Sequence, residues 1–487
     1  MRIEEVFKNV EIIDVIGEMP TEIYGVTDDS RNLREGSLFF CVKGNNKYGA
    51  DYISEAVAKG ASIVVGEKYE NCDACFVTVK DVRAAMAQIS SAFYGQPQKK
   101  LKIFGVVGTN GKTSVCHILS QIFTNAGLKS AVVGTLGITI DGVTEETGLT
   151  SLGTIKFYET LARAAESGAE CLFTEVSAHA IEQRRIEGVY FECLIFTNCT
   201  EDHLDYFENF ERYSAVKRSI FDKKNCRYAI VNVDDEVGRK ILRESNADIL
   251  TYGIDNPADA FAIDVDESVN GISYIVNLFD VIYDVSCPLI GECNVYNTLA
   301  SAACAAAEGI PIHKIALTLK RISAVKGRAE IVSEFNGAKI YLDYAHTPDG
   351  LKRTLAAFRK ICDGRLYCLF GCGGNREKEK RPVMGAIAVT LADFAIITTD
   401  NPRFEDPCSI IGEIEYGARK VGRNYVTIED RRKAIEYAMS KLKKGDILIV
   451  AGKGAETYQE VLGVKRAFSD SVEVENAARR LSESGNE

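Results

Sequence analysis

The sequence predicts an α/β protein of three domains, and three observations carry that expectation. The chain has 487 residues, too many for one ordinary core, so two or three domains are the reasonable division. Short apolar runs alternate with helical periodicity along most of it, the pattern of parallel sheets wrapped by helices. Two segments with linker chemistry interrupt that alternation, Gly95-Gln96-Pro97-Gln98-Lys99-Lys100 and Val325-Lys326-Gly327. They divide the chain into residues 1–98, 99–327 and 328–487.

In the first segment SLFFCV, DYISEAVAKGA and SIVVGE read as strand, helix and strand. Next comes LKIFGVV, a buried parallel strand, and then Lys112 to Gly127, a helix ending in a glycine cap. AVVGTL, ECLFTEV, ECLIFTN and RYAIVN are further strands with helical segments between most of them. Shorter strands between about 248 and 290 look antiparallel. Past Gly327, IYLDYA, LYCLFG, FAIITT and ILIVAG alternate with helices and predict a second doubly wound sheet.

Composition narrows the function classes. Hydrophobic residues at 46% and charged residues at 26% are the balance of a soluble globular protein. A formal net charge of -11 argues against a nucleic-acid surface, which needs clustered Lys and Arg. The start MRIEEVFKNVEI is acidic and charge-broken, unlike a signal peptide, and there is no apolar run long enough for a bilayer. Fifteen cysteines lie scattered, and the only CxxC, Cys72 to Cys75, lacks a second pair for zinc. Buried free thiols in a cytoplasmic setting are the expectation, with a monomer as the default state.

Gly108-Thr109-Asn110-Gly111-Lys112-Thr113-Ser114 lies between an apolar strand and a helix. There backbone N–H groups and the helix N-terminus can cradle phosphate oxygens. Lys112 would reach the β/γ-phosphates and the Thr113 hydroxyl would sit on Mg²⁺. The strict GxxxxGK[ST] spacing is not met, because Val106 stands where its first glycine would be. Glu175 ends the strand CLFTEV on the side where α/β sheets bind ligands. The next strand end leads to Thr197-Asn198 and then to Asp202, His203 and Asp205. Beside a phosphate loop these hard donors suit Mg²⁺, although histidine is a less usual partner and DHLD alone reads as a helix start.

The shorter GTNGKT form resembles the Mur ligase and folylpolyglutamate synthetase superfamily, and the rest of the chain is similar to the Mur ligases in motif order. That resemblance implies a uridine-nucleotide-binding N-terminal domain, a central ATPase-like domain and a Rossmann-like C-terminal domain. Thr27-Asp28-Asp29-Ser30-Arg31 followed by GSLFFCVKG resembles the first of these, with Ser30 as the uracil-nucleotide contact. Tyr213-Ser214-Ala215-Val216-Lys217 matches the segment whose lysine is carbamylated in the family, which would make Lys217 an N6-carboxylysine metal ligand beside Thr113, Glu175 and His203. Thr150, Ser151, Ser177, Gln183 and Arg185 fall where the family binds the UDP-muramoyl-dipeptide. Asn294 and Asn297 resemble its adenine-side asparagines, and Arg328 and Asp343 its other nucleotide-side groups.

Asp400-Asn401-Pro402-Arg403 resembles the D-N-P-R motif of members that add meso-diaminopimelate, and Arg376 matches another of their carboxylate contacts. Two guanidinium forks can each hold a carboxylate bidentately. Gly452 and Glu456 sit in the family's G-K-G-H-E stretch, with Glu456 able to accept an ammonium. Ala455 replaces the usual histidine there, and Thr150-Ser151 replaces paired threonines. The first departure leaves L-lysine or another amino acid open as the substrate.

The resemblance implies a two-step reaction. A dipeptide carboxylate attacks the γ-phosphate of ATP, and an amine then displaces phosphate from the acyl phosphate. Lys112, Glu175, His203 and Lys217 would neutralise the charge through Mg²⁺. A folate-type ligase is disfavoured by the uridine-type domain, a non-catalytic relative by the intact motifs, and a transporter ATPase by the loop spacing.

Overall fold

The computed structural model describes residues 1–44 and 48–484, the side chains of Asp205 and Ser484 excepted. Three main sheets carry it. The first has five strands in the order Ile12–Ile16, Cys75–Val79, Ala61–Gly66, Ser37–Phe40 and Gly25–Thr27. All pairs are parallel except the outermost, Ile12–Ile16 on Cys75–Val79.

The second sheet is built outward from Lys102–Val107, whose neighbours Cys171–Val176 and Phe191–Phe196 both run parallel to it. This strand is buried from Ile103 to Val107, which explains its unbroken apolar run. Cys226–Asn232 and Asp248–Gly253 extend the parallel part on one side. Ser130–Gly134 extends it on the other. Against it pack the helices Lys112–Ala126 and Glu292–Ala307, the latter with Ala300, Ala303 and Cys304 fully buried. Such small side chains let two helices approach closely while filling the core.

Two features depart from the expected strands. Asp248–Gly253 belongs to the parallel set, because the helix Glu236–Glu244 carries the chain back across the sheet before it. Only Ala260–Ser268, Gly271–Leu278 and Val281–Cys287 form the antiparallel meander. At the other edge Gly137–Ile140 and Val143–Glu145 add an antiparallel hairpin. Its two-residue turn, Asp141-Gly142, is the Asp-Gly signature of a tight hairpin.

The third sheet runs Glu330–Phe335, Ala338–Asp343, Ile447–Ala451, Leu366–Phe370, Phe394–Ile397, Tyr425–Thr427. It is parallel apart from the first pair. A separate hairpin, Tyr458–Val461 with Val464–Ala467, follows it. All fifteen cysteines are free thiols; Cys293 and Cys408 are exposed, against the expectation of burial, and Cys72 is half-buried. Among the described residues no helix is long and apolar enough to cross a membrane.

Candidate functional site

The loop 108–111 leaves the carboxyl end of the central strand and opens directly into the helix Lys112–Ala126. Its shape is dictated by the next strand end. A Cβ at Gly108 would stand 1.9 Å from Thr197 Oγ1, so only glycine allows that approach. Thr197 Oγ1 donates to Asn110 O at 2.6 Å, Asn110 N donates to Asn198 Oδ1 at 2.9 Å, and Thr109 N donates to Asn198 O at 2.8 Å. Thr197 and Asn198 thus brace the loop. The N–H groups of the first helical turn remain for an anion. Lys112 curls back, and its Nζ donates to Gly108 O and Thr109 O at 2.8 Å each. Burial pulls its ammonium below the ordinary range, while Glu175 and Asp202 pull the other way.

Of the expected metal donors, Thr113 and Glu175 are bonded to each other, while Lys217 and His203 each lie near Tyr213. Thr113 Oγ1 donates to Glu175 Oε1 at 2.9 Å. Glu175 is buried and also accepts from Thr135 N at 2.6 Å and Thr135 Oγ1 at 3.2 Å. Lys217 Nζ donates to Thr109 Oγ1 at 2.8 Å and stands 4.1 Å above the Tyr213 ring. Burial drives its pKa down to about 7. His203 takes a left-handed φ of 56° at the start of the helix Leu204–Phe207 and reaches Asp202 at 3.5 Å, with its ring 6.4 Å from that of Tyr213. Burial alone would raise the Asp202 carboxyl, but His203, His346, Lys112 and Lys380 hold it below its usual range. The Asp205 side chain lies outside the described residues. Among the described residues there is no group of three or more His, Cys, Asp or Glu able to cage a metal by themselves.

On the other flank Asn297 Nδ2 donates to Asn294 Oδ1 at 3.0 Å, and Asn294 Nδ2 donates to Ile290 O at 2.8 Å. Asn297 Oδ1 lies 2.6 Å from where a Cβ at Gly111 would stand, so this pair abuts the loop. Arg328 Nη2 donates to Thr113 Oγ1 at 3.1 Å, and its guanidinium stacks 4.3 Å from the Tyr344 ring centroid. Asp343, expected as a ligand-side group, accepts from Ala329 N, Ala345 N and Thr354 Oγ1 at 2.8, 2.9 and 3.1 Å. Burial lifts its carboxyl above the usual range against the pull of Arg328. It therefore shapes the turn that presents Arg328.

The five central residues assigned to the peptide form one bonded chain that ends on the same Glu175. Ser151 Oγ donates to Glu175 O at 2.9 Å and lies 3.1 Å from Ser177 Oγ. Thr135 Oγ1, already donating to Glu175, lies 3.2 Å from Thr150 Oγ1. Arg185 Nη1 donates to Ser151 O at 3.0 Å, and its Nε and Nη2 donate to Gln183 Oε1 at 3.1 and 2.8 Å. Ser30 stands outside this chain. Its hydroxyl donates to Glu55 Oε2 at 2.9 Å within the first sheet's layer. Arg83 ties that layer to the central one by donating to Gln183 O at 3.3 Å.

In the C-terminal part Asp400 through Arg403 follows the strand Phe394–Ile397, and Gly452 through Glu456 follows Ile447–Ala451. Asn401 Nδ2 donates to Glu456 Oε2 at 2.8 Å. Arg403 adopts φ 51° and its Nη1 donates to Gly374 O at 2.8 Å. Arg403 N donates to Glu460 O at 3.0 Å and Leu462 N donates to Arg403 O at 2.6 Å, so the hairpin holds this residue from both sides. Arg376 is exposed one turn of chain away, beyond Gly373 and Gly374. Asp400 is buried and gives its carbonyl to Gln459 Nε2 at 2.8 Å. Sequence reasoning missed Thr135, Tyr213 and Lys453. Thr135 follows no sequence pattern; Tyr213 and Lys453 lie inside recognised stretches, where each reads as an ordinary residue beside the one the motif marks.

A strand-to-helix loop braced by the next strand end, a buried carboxylate bonded to Thr113 and Thr135, and Arg328 reaching Thr113 from the start of the third sheet define the centre of an α/β enzyme. Comparison with known families identifies its kind. Residues 22–94 match the Mur ligase family catalytic domain, 106–305 the Mur ligase middle domain, and 327–454 the Mur ligase glutamate ligase domain. The chain belongs to the Mur ligase family. It is 37% identical over 472 residues to the UDP-N-acetylmuramoyl-L-alanyl-D-glutamate–2,6-diaminopimelate ligase of Bacillus licheniformis, covering 96% of each chain. To the enzyme of that name from Clostridioides difficile it is 39% identical over 479 residues, 96% of this chain and 98% of that one. A solved structure of a ligase with the same name superposes with a TM-score of 0.71 at 29% identity, covering 99% of both chains.

Proposed function

We propose that this chain is an ATP-dependent amide ligase that joins meso-diaminopimelate to UDP-N-acetylmuramoyl-L-alanyl-D-glutamate, a step in peptidoglycan precursor synthesis carried out in the cytoplasm. One observation carries the reading: Glu175 is bonded to Thr113 of the phosphate loop and, through its carbonyl and Thr135, to Ser151 and Thr150. On this reading the γ-phosphate end of a nucleotide and the carboxylate of a peptide acceptor meet beside one residue, Glu175.

The residues support two steps. Loop N–H groups and Lys112 hold the triphosphate, Lys112 giving up its two carbonyl partners for the β/γ-oxygens. Arg185 and Ser177 hold the acceptor carboxylate, whose oxygen attacks the γ-phosphorus and releases ADP. The amine then attacks the acyl carbon, loses a proton and expels phosphate. Arg328, pinned on Tyr344, offers a further cation to the leaving oxygens.

Thr113 and Glu175 fit Mg²⁺ by chemistry, being hard oxygen donors set side by side. The lack of an all-protein cage among the described residues suits an ion that binds one or two carboxylates, water and substrate phosphates. When bound, Mg²⁺ neutralises charge on the transferring phosphoryl group. Lys217 as an ammonium has no lone pair to offer. Its buried amine is able to add CO₂ and lose a proton, giving the carbamate that the family resemblance implies. Native mass spectrometry should find one CO₂ on Lys217, and an unmodified lysine in active enzyme would refute that assignment.

Ala455 leaves L-lysine as the competing amino acid. Phosphate release should require Mg²⁺, the UDP-muramoyl-dipeptide and an amino acid together, with meso-diaminopimelate far ahead of lysine, ornithine and glutamate. Release with the dipeptide omitted contradicts the ligase reading, and a preference for lysine contradicts the assigned amino acid.

A further inference from the structure

We propose that Lys453 is the positioning residue of the amino-acid pocket: it fixes Glu456 and Asn401 so that one Glu456 oxygen is aimed at the substrate ammonium. This rests on the reading of Glu456 as the ammonium acceptor. Lys453 is fully buried. Its Nζ donates to Glu456 Oε2 at 2.9 Å and to Asn401 Oδ1 at 3.1 Å, and stands 5.7 Å from the Tyr458 ring centroid. The residue is turned inward by its neighbours, since Gly452 and Gly454 take φ of 105° and 52° on either side, values a side chain there would strain.

The network fills the Asn401 carbonyl oxygen and uses one of its two N–H donors. Its Oδ1 accepts from Lys453 and from Glu460 N at 3.0 Å, and its Nδ2 donates to Glu456 Oε2. Asn401, expected as a direct amino-acid contact, is thereby held in place beside Glu456. Glu456 Oε2 takes both internal donors, which leaves Oε1 as the oxygen for a ligand. A buried ammonium is costly unless paired and hydrogen-bonded. Here its partners are two residues at the end of the very pocket the reaction needs. Removing it frees Glu456 to rotate and leaves Asn401 Oδ1 short of a donor.

The test compares Lys453→Met, Lys453→Gln and Glu456→Gln with the unaltered enzyme, measuring KM for meso-diaminopimelate, ATP and the UDP-muramoyl-dipeptide, with kcat and thermal melting alongside. Lys453→Met should raise the amino-acid KM about tenfold, and Lys453→Gln about threefold, while kcat and the other two KM values move less than about twofold. A general structural defect would move all three KM values together. If Lys453→Met fails to melt cooperatively, Lys453→Gln decides. An unchanged amino-acid KM in the folded variant, with Glu456→Gln raising it, overturns the proposal and leaves the pocket reading standing. An unchanged KM in Glu456→Gln overturns the pocket reading itself, and this proposal with it.

Discussion

Lys112→Ala is expected to lower kcat for dipeptide-dependent phosphate release by about 10²–10³-fold, the largest loss from any single substitution in the loop. Its Nζ is the side-chain cation held within the loop, and its hydrogen-bond partners among the described residues are the Gly108 and Thr109 carbonyls. Those bonds keep a charged amine poised without binding anything essential to the fold. When a triphosphate arrives, the amine exchanges two neutral acceptors for anionic oxygens, and the gain grows as charge shifts to the leaving phosphate. Alanine at the first helical position is well tolerated, and removing a buried ammonium relieves a desolvation cost. Melting temperature should therefore hold or rise while turnover collapses. Stopped phosphate-release assays beside circular-dichroism melts separate the two, and a variant with full turnover would remove Lys112 from the mechanism.

Arg403→Ala should raise the KM for meso-diaminopimelate by about 10²-fold, equivalent to about 3 kcal/mol for the loss of a charge-assisted pair, with ATP affinity close to normal. The backbone there is already at φ 51°, so alanine inherits the strain and adds none. Arg403 N and O stay tied to the hairpin through Glu460 and Leu462, which keeps the loop in place after truncation. What disappears is a guanidinium anchored on Gly374 O that can still reach a carboxylate. Calorimetric ATP titration together with amino-acid saturation kinetics checks both halves. Lost ATP affinity with unaltered amino-acid use would mean Arg403 serves the nucleotide instead.

The phosphate loop was legible in the sequence because its demands are local: an apolar strand, a glycine turn, a lysine at the helix start. Glu175 was legible for a similar reason, since a carboxylate at a strand end in an α/β protein faces the crevice. Longer-range facts were not. That Thr135 would bridge Glu175 and Thr150 depends on a hairpin turning back over the sheet edge, and a lone threonine carries no such signal. Asp248–Gly253 looked like its antiparallel successors because a short strand does not declare its partner; the helix before it does. Asp343 and Asn401 show how little a motif says of a side chain's internal bonds. Their positions in recognised motifs pointed to ligands, yet their side chains are committed to Ala329, Ala345 and Thr354 in one case and to Lys453, Glu456 and Glu460 in the other. A motif marks residues that a site requires, and only geometry separates those that touch substrate from those that hold its neighbours.

The joining of phosphate loop and peptide residues at Glu175 is tested most directly by isotope transfer. With both oxygens of the acceptor carboxylate labelled as oxygen-18, the reaction should release phosphate carrying one labelled oxygen and leave the other in the new amide. Unlabelled phosphate, formed at the rate of amide formation, would show that no bond forms between that carboxylate and the γ-phosphorus, and would contradict the account at its centre.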